Sequence, residues 1–215
     1  MLLLFLIINC NWRDRERWDD NRKNWSELML AIYRNNDNKV EQLINNVDIL
    51  YNAGGSFNLT AMSVAIFSEN EKAVYQLLNS GKIDNLNKYL NLACNVSNNI
   101  QIIKYLCEFG ADVNYLDENG YNSIMYATSF CSIEILNYLI EQNVDVNIGR
   151  QKNTGTTALM LAIYNNDIEK MNILLQAGAN KNVVTNNGIT LYEIADKYIH
   201  GLNINEKKNI LELFR

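Results

Sequence analysis

Apolar residues recur along the chain in a fixed order of short segments. In each segment an apolar run centred on an alanine is followed, usually about 12 residues later, by an apolar pair such as Leu77-Leu78 or Leu139-Ile140. A third apolar residue precedes each pair, as Val74 does, which gives the i, i+3, i+4 spacing of one buried helix face. The pattern predicts two short helices in every segment.

The segments repeat with a nearly constant period. Successive alanines are 33 to 35 residues apart, with one shorter gap of 28. A single helix pair of this size cannot bury its own apolar face, so the period predicts a solenoid in which neighbouring pairs share one core. The small side chain is expected where the pairs approach closely. The six alanines are Ala31, Ala65, Ala93, Ala127, Ala162 and Ala195.

Polar and glycine residues mark the ends of the predicted helices. A side-chain oxygen just before a first helix can accept a free backbone N–H, and a left-handed residue after a second helix ends it. Glycine takes that conformation at the lowest steric cost, and asparagine comes next. The predicted N-caps are Ser26, Thr60, Asn122, Thr157 and Thr190, and the predicted left-handed residues are Gly81, Gly110, Asn143 and Gly178.

Short motifs at the repeat boundaries resemble a known family. Gly110-Ala111-Asp112-Val113-Asn114, Gly178-Ala179-Asn180-Lys181-Asn182 and Gly155-Thr156-Thr157-Ala158-Leu159 are similar to the conserved turns of the ankyrin repeat. The resemblance covers roughly residues 25 to 215. It implies an all-α, ankyrin-type helical solenoid of about six helix-turn-helix units, with the first and last as caps. The expected units lie near 25–55, 56–86, 87–118, 119–152, 153–186 and 187–215.

The chain departs from the family pattern in one respect. It contains no proline, and the histidine of the family's Thr-Pro-Leu-His motif is missing from every repeat. The hydrogen bonds that this histidine makes between loops are therefore in doubt. We expect stability to depend more strongly on apolar packing.

Composition narrows the possible partners. The 215 residues carry a net charge of -5, and basic residues are interspersed with acidic ones. Because the sequence has no cluster of basic residues, we do not expect nucleic acid as a partner. The four cysteines contain no Cys-x-x-Cys pair. We interpret them as plain buried thiols, against a disulfide or a metal site. They are Cys10, Cys94, Cys107 and Cys131.

Candidate catalytic residues are sparse. The one histidine, His200, falls in an apparent insertion from Lys197 to Asn209, with no ligand or triad partner at a suitable spacing. No phosphate loop, zinc-protease motif or nucleophile elbow occurs. We predict no enzymatic activity, cofactor, metal or small-molecule substrate. An active site in the His200 insertion is the enzymatic alternative.

The resemblance implies a surface for recognition. In ankyrin-like stacks, partner proteins contact a concave groove and the turn tips, mainly through positions two and three residues after the alanine. The sequence therefore predicts a protein-protein interaction module. Phe67 and Phe130 could instead pack as core. The candidate contact residues are Tyr33, Arg34, Phe67, Ser68, Phe130, Tyr164 and Asn165, with Tyr121 on a turn tip.

The N-terminal 24 residues differ from the repeats. Leu2 to Ile8 is too short an apolar run to span a bilayer. It resembles the core of a signal peptide, and Cys10 loosely fits a lipoprotein processing site. We expect a cytoplasmic protein; export to the periplasm or cell envelope is the alternative. Trp18 and Trp25 are a heptad apart, so they could cap the first repeat or form a separate docking segment.

Two other roles are alternatives to a protein-binding module. One is an envelope-tethered structural or accessory protein, and the other is a secreted effector of an intracellular microbe. The segment Ile210–Arg215 is apolar on one side and predicts a C-terminal capping helix. A stack capped at both ends is expected to be a monomer.

Overall fold

Short helices joined in antiparallel pairs make up the protein. The computed structural model describes residues 25–48, 59–149 and 155–215. This part holds twelve helices in six pairs, and we call the two members of each pair its first and second helix in chain order. Its β-structure is one isolated bridge, Val184 to Thr190. The pairs are α1 Glu27–Tyr33 with α2 Asp37–Leu43, α3 Ala61–Phe67 with α4 Glu71–Asn79, α5 Leu86–Val96 with α6 Ile100–Glu108, α7 Ser123–Phe130 with α8 Ile133–Glu141, α9 Ala158–Tyr164 with α10 Ile168–Gln176, and α11 Leu191–Tyr198 with α12 Ile204–Glu212.

The pairs stack in order within two units, Met1–Ala111 and Asp112–Arg215. In unit 1, α1, α3 and α5 pack side by side, and α2, α4 and α6 do the same. In unit 2, α7, α9 and α11 form one row, and α8 packs against α10. The repeated alanines are buried, five of them fully and Ala31 with 5% exposed. The predicted all-α repeat fold is confirmed.

All five predicted N-caps are confirmed. Ser26 accepts the Met29 N–H at 3.2 Å, and Thr157 accepts the Met160 N–H at 3.4 Å. Thr60, Asn122 and Thr190 make the same bond. The third pair begins instead at Asn85, whose side chain accepts the Lys88 N–H. This cap was missed because Asn85 combines the cap with a left-handed backbone, φ 47°.

The four predicted left-handed residues are also confirmed. Their φ angles are 67° at Gly81, 97° at Gly110, 60° at Asn143 and 87° at Gly178. At Gly110 the chain turns back so that the Ala111 N–H reaches the Leu106 carbonyl at 3.0 Å. A Cβ would be strained at this φ, so glycine fits the turn.

The second helices bury most of the predicted apolar face. In α4 the whole triplet Val74, Leu77 and Leu78 is buried. In four other second helices, one of the three residues of this face is half-buried, because the edge of the face is not fully covered. These residues are Leu43, Cys107, Ile140 and Leu175.

The three described cysteines form no disulfide with one another. Cys94 and Cys131 are buried, with 0% and 5% exposed, which confirms the interpretation as buried thiols for these two. Cys107 is half-buried. Cys10 lies outside the described residues.

The last pair corrects one expectation. Residues Lys197 to Asn209 are not an inserted loop, because α11 continues to Tyr198 and α12 already begins at Ile204. A capping box starts α12: Asn203 accepts the Glu206 N–H at 2.9 Å, and Glu206 accepts the Asn203 N–H at 3.0 Å. The final helix is therefore longer than the predicted Ile210–Arg215 and ends earlier.

At the N-terminal side of unit 1, Trp25 packs against the first helix. It is 7% exposed, and its ring meets Tyr33 edge-on with 5.6 Å between ring centroids. This packing agrees with the capping interpretation for Trp25. Trp18 and the apolar run Leu2 to Ile8 lie outside the described residues. Among the helices that are described, none has the length and apolarity needed to cross a bilayer.

Asparagine side chains connect neighbouring repeats in unit 2. Asn114 accepts the Asp145 N–H at 2.7 Å, and Asn147 accepts the Asn180 N–H at the same distance. Asn147 also donates to the Gly178 carbonyl at 3.1 Å. These bonds join successive loops directly. Polar bridges therefore supplement the apolar packing on which stability was expected to depend.

The bridge at Asn147 can be measured by truncation. Asn147→Ala removes both bonds, so we expect the free energy of unfolding to fall by about 1–2 kcal/mol in urea titrations followed by circular dichroism. Asn182→Ala is the matched control, because Asn182 occupies the corresponding exposed position of the next repeat. Its effect should stay within about 0.5 kcal/mol. Equal losses from both variants would contradict a specific bridge.

The buried side chain of Asn122 lowers the stability of the fold, and a substitution can remove this loss. Asn122 is fully buried, and its Nδ2 has no hydrogen-bond partner among the residues described here. Asn122→Thr keeps the cap oxygen and removes the buried donor, so stability should rise by about 1 kcal/mol. Asn122→Ala also loses the cap and should be less stable than wild type. Melting temperatures of the three proteins decide this, and Asn122→Thr melting below wild type would contradict it.

Candidate protein contact surface

Five of the six first helices end on an aromatic residue. Helices α1 and α3 of unit 1 end at Tyr33 and Phe67, and three helices of unit 2 end at aromatic residues too. Each of these side chains is half-buried. Helix α5 is the exception and ends at Val96. We call the five the terminal aromatics: Tyr33, Phe67, Phe130, Tyr164 and Tyr198.

In unit 1 the terminal aromatics lie beside polar C-cap residues. Tyr33 is held by Trp25, and the exposed Arg34 follows it as the C-cap of α1. The hydroxyl of Ser68 donates to the Val64 carbonyl at 2.7 Å, so it is occupied within its own helix. An open polar depression adjoins Tyr33 on this unit. Its lining residues are Arg34, Asn35, Asn36, Asp37, Asn38 and Lys72.

In unit 2 two terminal aromatics support each other. Tyr164 and Tyr198 meet edge to face, with 4.8 Å between ring centroids and 89° between planes. The Lys197 ammonium lies 5.3 Å from the Tyr198 centroid. Burial raises the pKa of Tyr164 above its ordinary value, and the neighbouring Tyr198 adds to the rise. Both rings are thus fixed by packing, and the exposed Asn165 caps α9 beside them.

Phe130 belongs to a second aromatic row of unit 2. Its ring centroid is 6.5 Å from that of Tyr126, which lies 5.3 Å from that of Tyr121. The Tyr126 hydroxyl donates to Asp117 at 2.6 Å. Phe130 and Phe67 are both half-buried, so each ring contributes one part to packing and leaves another part accessible.

Tyr121 was expected on an exposed turn tip, and this expectation is wrong. Only 5% of the residue is exposed. The Asp117 carboxylate accepts the Tyr121 N–H at 3.0 Å, and the ring packs against Tyr126. Tyr121 therefore packs as a buried support of this aromatic row.

Sequence reasoning missed two sets of aromatic residues. Tyr198 was overlooked because the apparent insertion hid the end of α11, although it lies three residues after Ala195, as Phe130 does after Ala127. The second set is a partly exposed cluster in unit 1, formed by Tyr75 in α4, Tyr105 in α6 and Phe109, the C-cap of α6. Tyr75 packs against Tyr105 and Phe109, with ring centroids 5.2 and 6.0 Å apart, and Tyr75 and Phe109 are 45% and 36% exposed.

The remaining candidate chemistry is limited. Within the described ranges, no group of three or more histidine, cysteine or acidic residues is arranged to hold a metal. His200 is exposed, and its Nδ1 lies 2.7 Å from the Tyr198 carbonyl. Its backbone N–H and carbonyl bond the side chain of Asn166 at 3.1 and 3.2 Å. In this setting His200 joins two adjacent helix loops of unit 2.

The chain is similar to known proteins both in fold and in sequence. The ankyrin repeat domain of Bcl-3, a member of the IkappaB family, superposes with a TM-score of 0.68 at 20% identity, covering 80% of this chain and 79% of that domain. An ankyrin repeat protein of fowlpox virus is 31% identical over 120 residues, which are 55% of this chain and 35% of the viral protein. The palmitoyltransferase ZDHHC13 of Danio rerio is 28% identical over 200 residues, 88% of this chain and 31% of that protein.

The alignments cover about a third of the length of these two relatives. The family model for ankyrin repeats (3 copies) matches residues 73–150 and 90–185, which together make up more than half of the chain. The match agrees with the stacked helix pairs, their caps and their left-handed turns. The chain belongs to the ankyrin repeat family.

Proposed function

We propose that this protein binds a partner protein through the terminal aromatics and the polar residues beside them. Ankyrin repeats are generally protein-protein interaction modules, and the fold is generally non-catalytic. The single observation that carries the proposal is the recurrence of a half-buried aromatic residue at the end of the first helix. A position that served core packing alone would not require an accessible ring.

The chemistry of these positions suits recognition. Tyrosine and phenylalanine offer a large contact area with few rotatable bonds, and aromatic residues and arginine are enriched among the residues that dominate interface energies. Tyr164 and Tyr198 are already held edge to face, and Tyr33 is held by Trp25. Little side-chain entropy is then lost when a partner binds. Arg34 and Asn165 supply exposed polar groups at the rim.

The proposed binding function is non-enzymatic. The relative with an enzymatic name is matched over 31% of its length, and its activity is not carried over to this chain. The position of His200 supports the same view, because its ring and backbone bond loop groups.

A second candidate surface is the exposed cluster of Tyr75, Tyr105 and Phe109. Its support is the exposure of Tyr75 in α4 and of Phe109, the C-cap of α6. This cluster provides a matched comparison, since its rings are of similar size and lie away from the ends of the first helices.

The test is an affinity capture from the lysate of the native source, followed by mass spectrometry. Wild type is compared with Phe67→Ala/Tyr164→Ala and with Tyr75→Ala/Phe109→Ala. We expect the first variant to lose a partner that the other two proteins retain, and to weaken its affinity by about tenfold or more. Circular dichroism must show that both variants keep their helix content.

The other outcomes are equally informative. If only Tyr75→Ala/Phe109→Ala lost a partner, the cluster of Tyr75, Tyr105 and Phe109 would replace the proposed surface. A partner retained by both variants would contradict both surfaces. Absence of any specific partner for wild type would contradict the binding function itself.

A further inference from the structure

Lys170 is a buried lysine at a position where three other second helices carry buried apolar side chains. It is the third residue of α10 and is 8% exposed. In three of the five other second helices the residue three after the N-cap is buried and apolar: Ala73 in α4, Ile102 in α6 and Ile135 in α8. In α2 and α12 it is charged and exposed, Lys39 and Glu206. A buried ammonium group requires hydrogen bonds that offset the loss of water.

Those hydrogen bonds come from the neighbouring repeat of unit 2. Lys170 Nζ donates to the Thr128 carbonyl at 2.9 Å and to the Ala127 carbonyl at 3.4 Å, and Asp167 Oδ2 lies 3.7 Å away. Both carbonyls belong to the last turn of α7, where helical N–H partners become fewer. The Ala127 oxygen also accepts the Cys131 N–H at 3.0 Å. The same end carries the negative pole of the helix dipole, which a cation stabilises. Lys170 therefore caps α7 from outside.

We infer that Lys170 is a positioning residue for the contact surface, because it fixes the end of α7 and with it the terminal aromatic Phe130. This inference rests on the proposed function. Phe130 is the last residue of α7, two residues after Thr128. Its ring is half-buried and only loosely stacked on Tyr126 at 6.5 Å, so its direction depends on the helix end that Lys170 holds.

The reactivity of the Cys131 thiol can report on this helix end in the isolated protein. Cys131 is the C-cap of α7, it is 5% exposed, and its N–H donates to the Ala127 carbonyl at 3.0 Å. Fraying of the last turn would expose its thiol to a small neutral reagent such as N-ethylmaleimide. Cys94 of unit 1 is fully buried and serves as the internal reference. Labelling of each site is measured by peptide mass spectrometry on the full chain.

Lys170→Met keeps the length of the side chain and removes its donors. We expect the ratio of Cys131 to Cys94 labelling to rise about tenfold or more, because local opening no longer breaks the charged hydrogen bonds. Lys170→Arg restores donors and should bring the ratio back toward wild type. Met171→Ala, which removes buried contacts of the same helix and leaves the lysine in place, measures the effect of lost stability alone.

The inference is overturned if Lys170→Met raises Cys131 labelling no more than Met171→Ala does, or if Lys170→Arg gives no recovery. Binding to the captured partner adds a second reading. If Phe130→Ala leaves affinity unchanged, the proposed function fails at this residue. If Phe130→Ala weakens binding and Lys170→Met does not, the positioning role fails while the proposed function stands.

Discussion

Stacking between neighbouring helix pairs is the interaction on which the whole protein depends. The described helices are only 7 to 11 residues long. Isolated helices shorter than about 12–15 residues are marginal in water. Within each unit, the pairs are therefore helical because neighbouring pairs cover one another's apolar faces. The alanines allow this close approach, and a bulky residue at Ala127 or Ala162 would separate the pairs at a point where both are fully buried.

Because every pair depends on its neighbours, the polar groups at the helix ends must also be satisfied between neighbours. Asparagine satisfies many of these groups, both at the end of its own helix and between neighbouring loops. It caps second helices at Asn36 and Asn99, it takes the left-handed conformation at Asn143, and it bridges successive loops at Asn147. A short amide side chain can accept and donate at once, which suits all these tasks. These bridges occur in a chain that lacks the family's usual proline and histidine.

The sequence predicted features that local chemistry determines. Ser26 caps a helix and Gly110 turns left-handed because of contacts with residues three to five positions away, and such contacts follow from spacing. Burial of Tyr121 was not predicted, although Asp117 and Tyr126 lie only four and five positions away, since the bond between Tyr126 and Asp117 crosses from α7 to the preceding turn.

The candidate surface shows the same division. The positions two and three residues after each alanine could be counted from the sequence, and the structure places three of them, Tyr33, Phe67 and Tyr164, at the last residue of a first helix. Tyr198 was missed because the apparent insertion hid the end of α11. Lys170 was missed for another reason. A lysine is normally expected in water, and the carbonyls that hold it are about 40 residues away in the chain, as the 43- and 42-residue separations of its two bonds show.

These two levels of organisation separate stability from recognition. Core positions have little freedom, because a change at Leu77 or Leu139 affects the face shared by two pairs. The last residue of a first helix has more freedom, as the change from aromatic residues to Val96 in α5 shows. That residue is held by a fixed helix end but is not enclosed by the core. A stack of this kind can therefore vary its contact chemistry one helix end at a time while the stacking interaction stays the same.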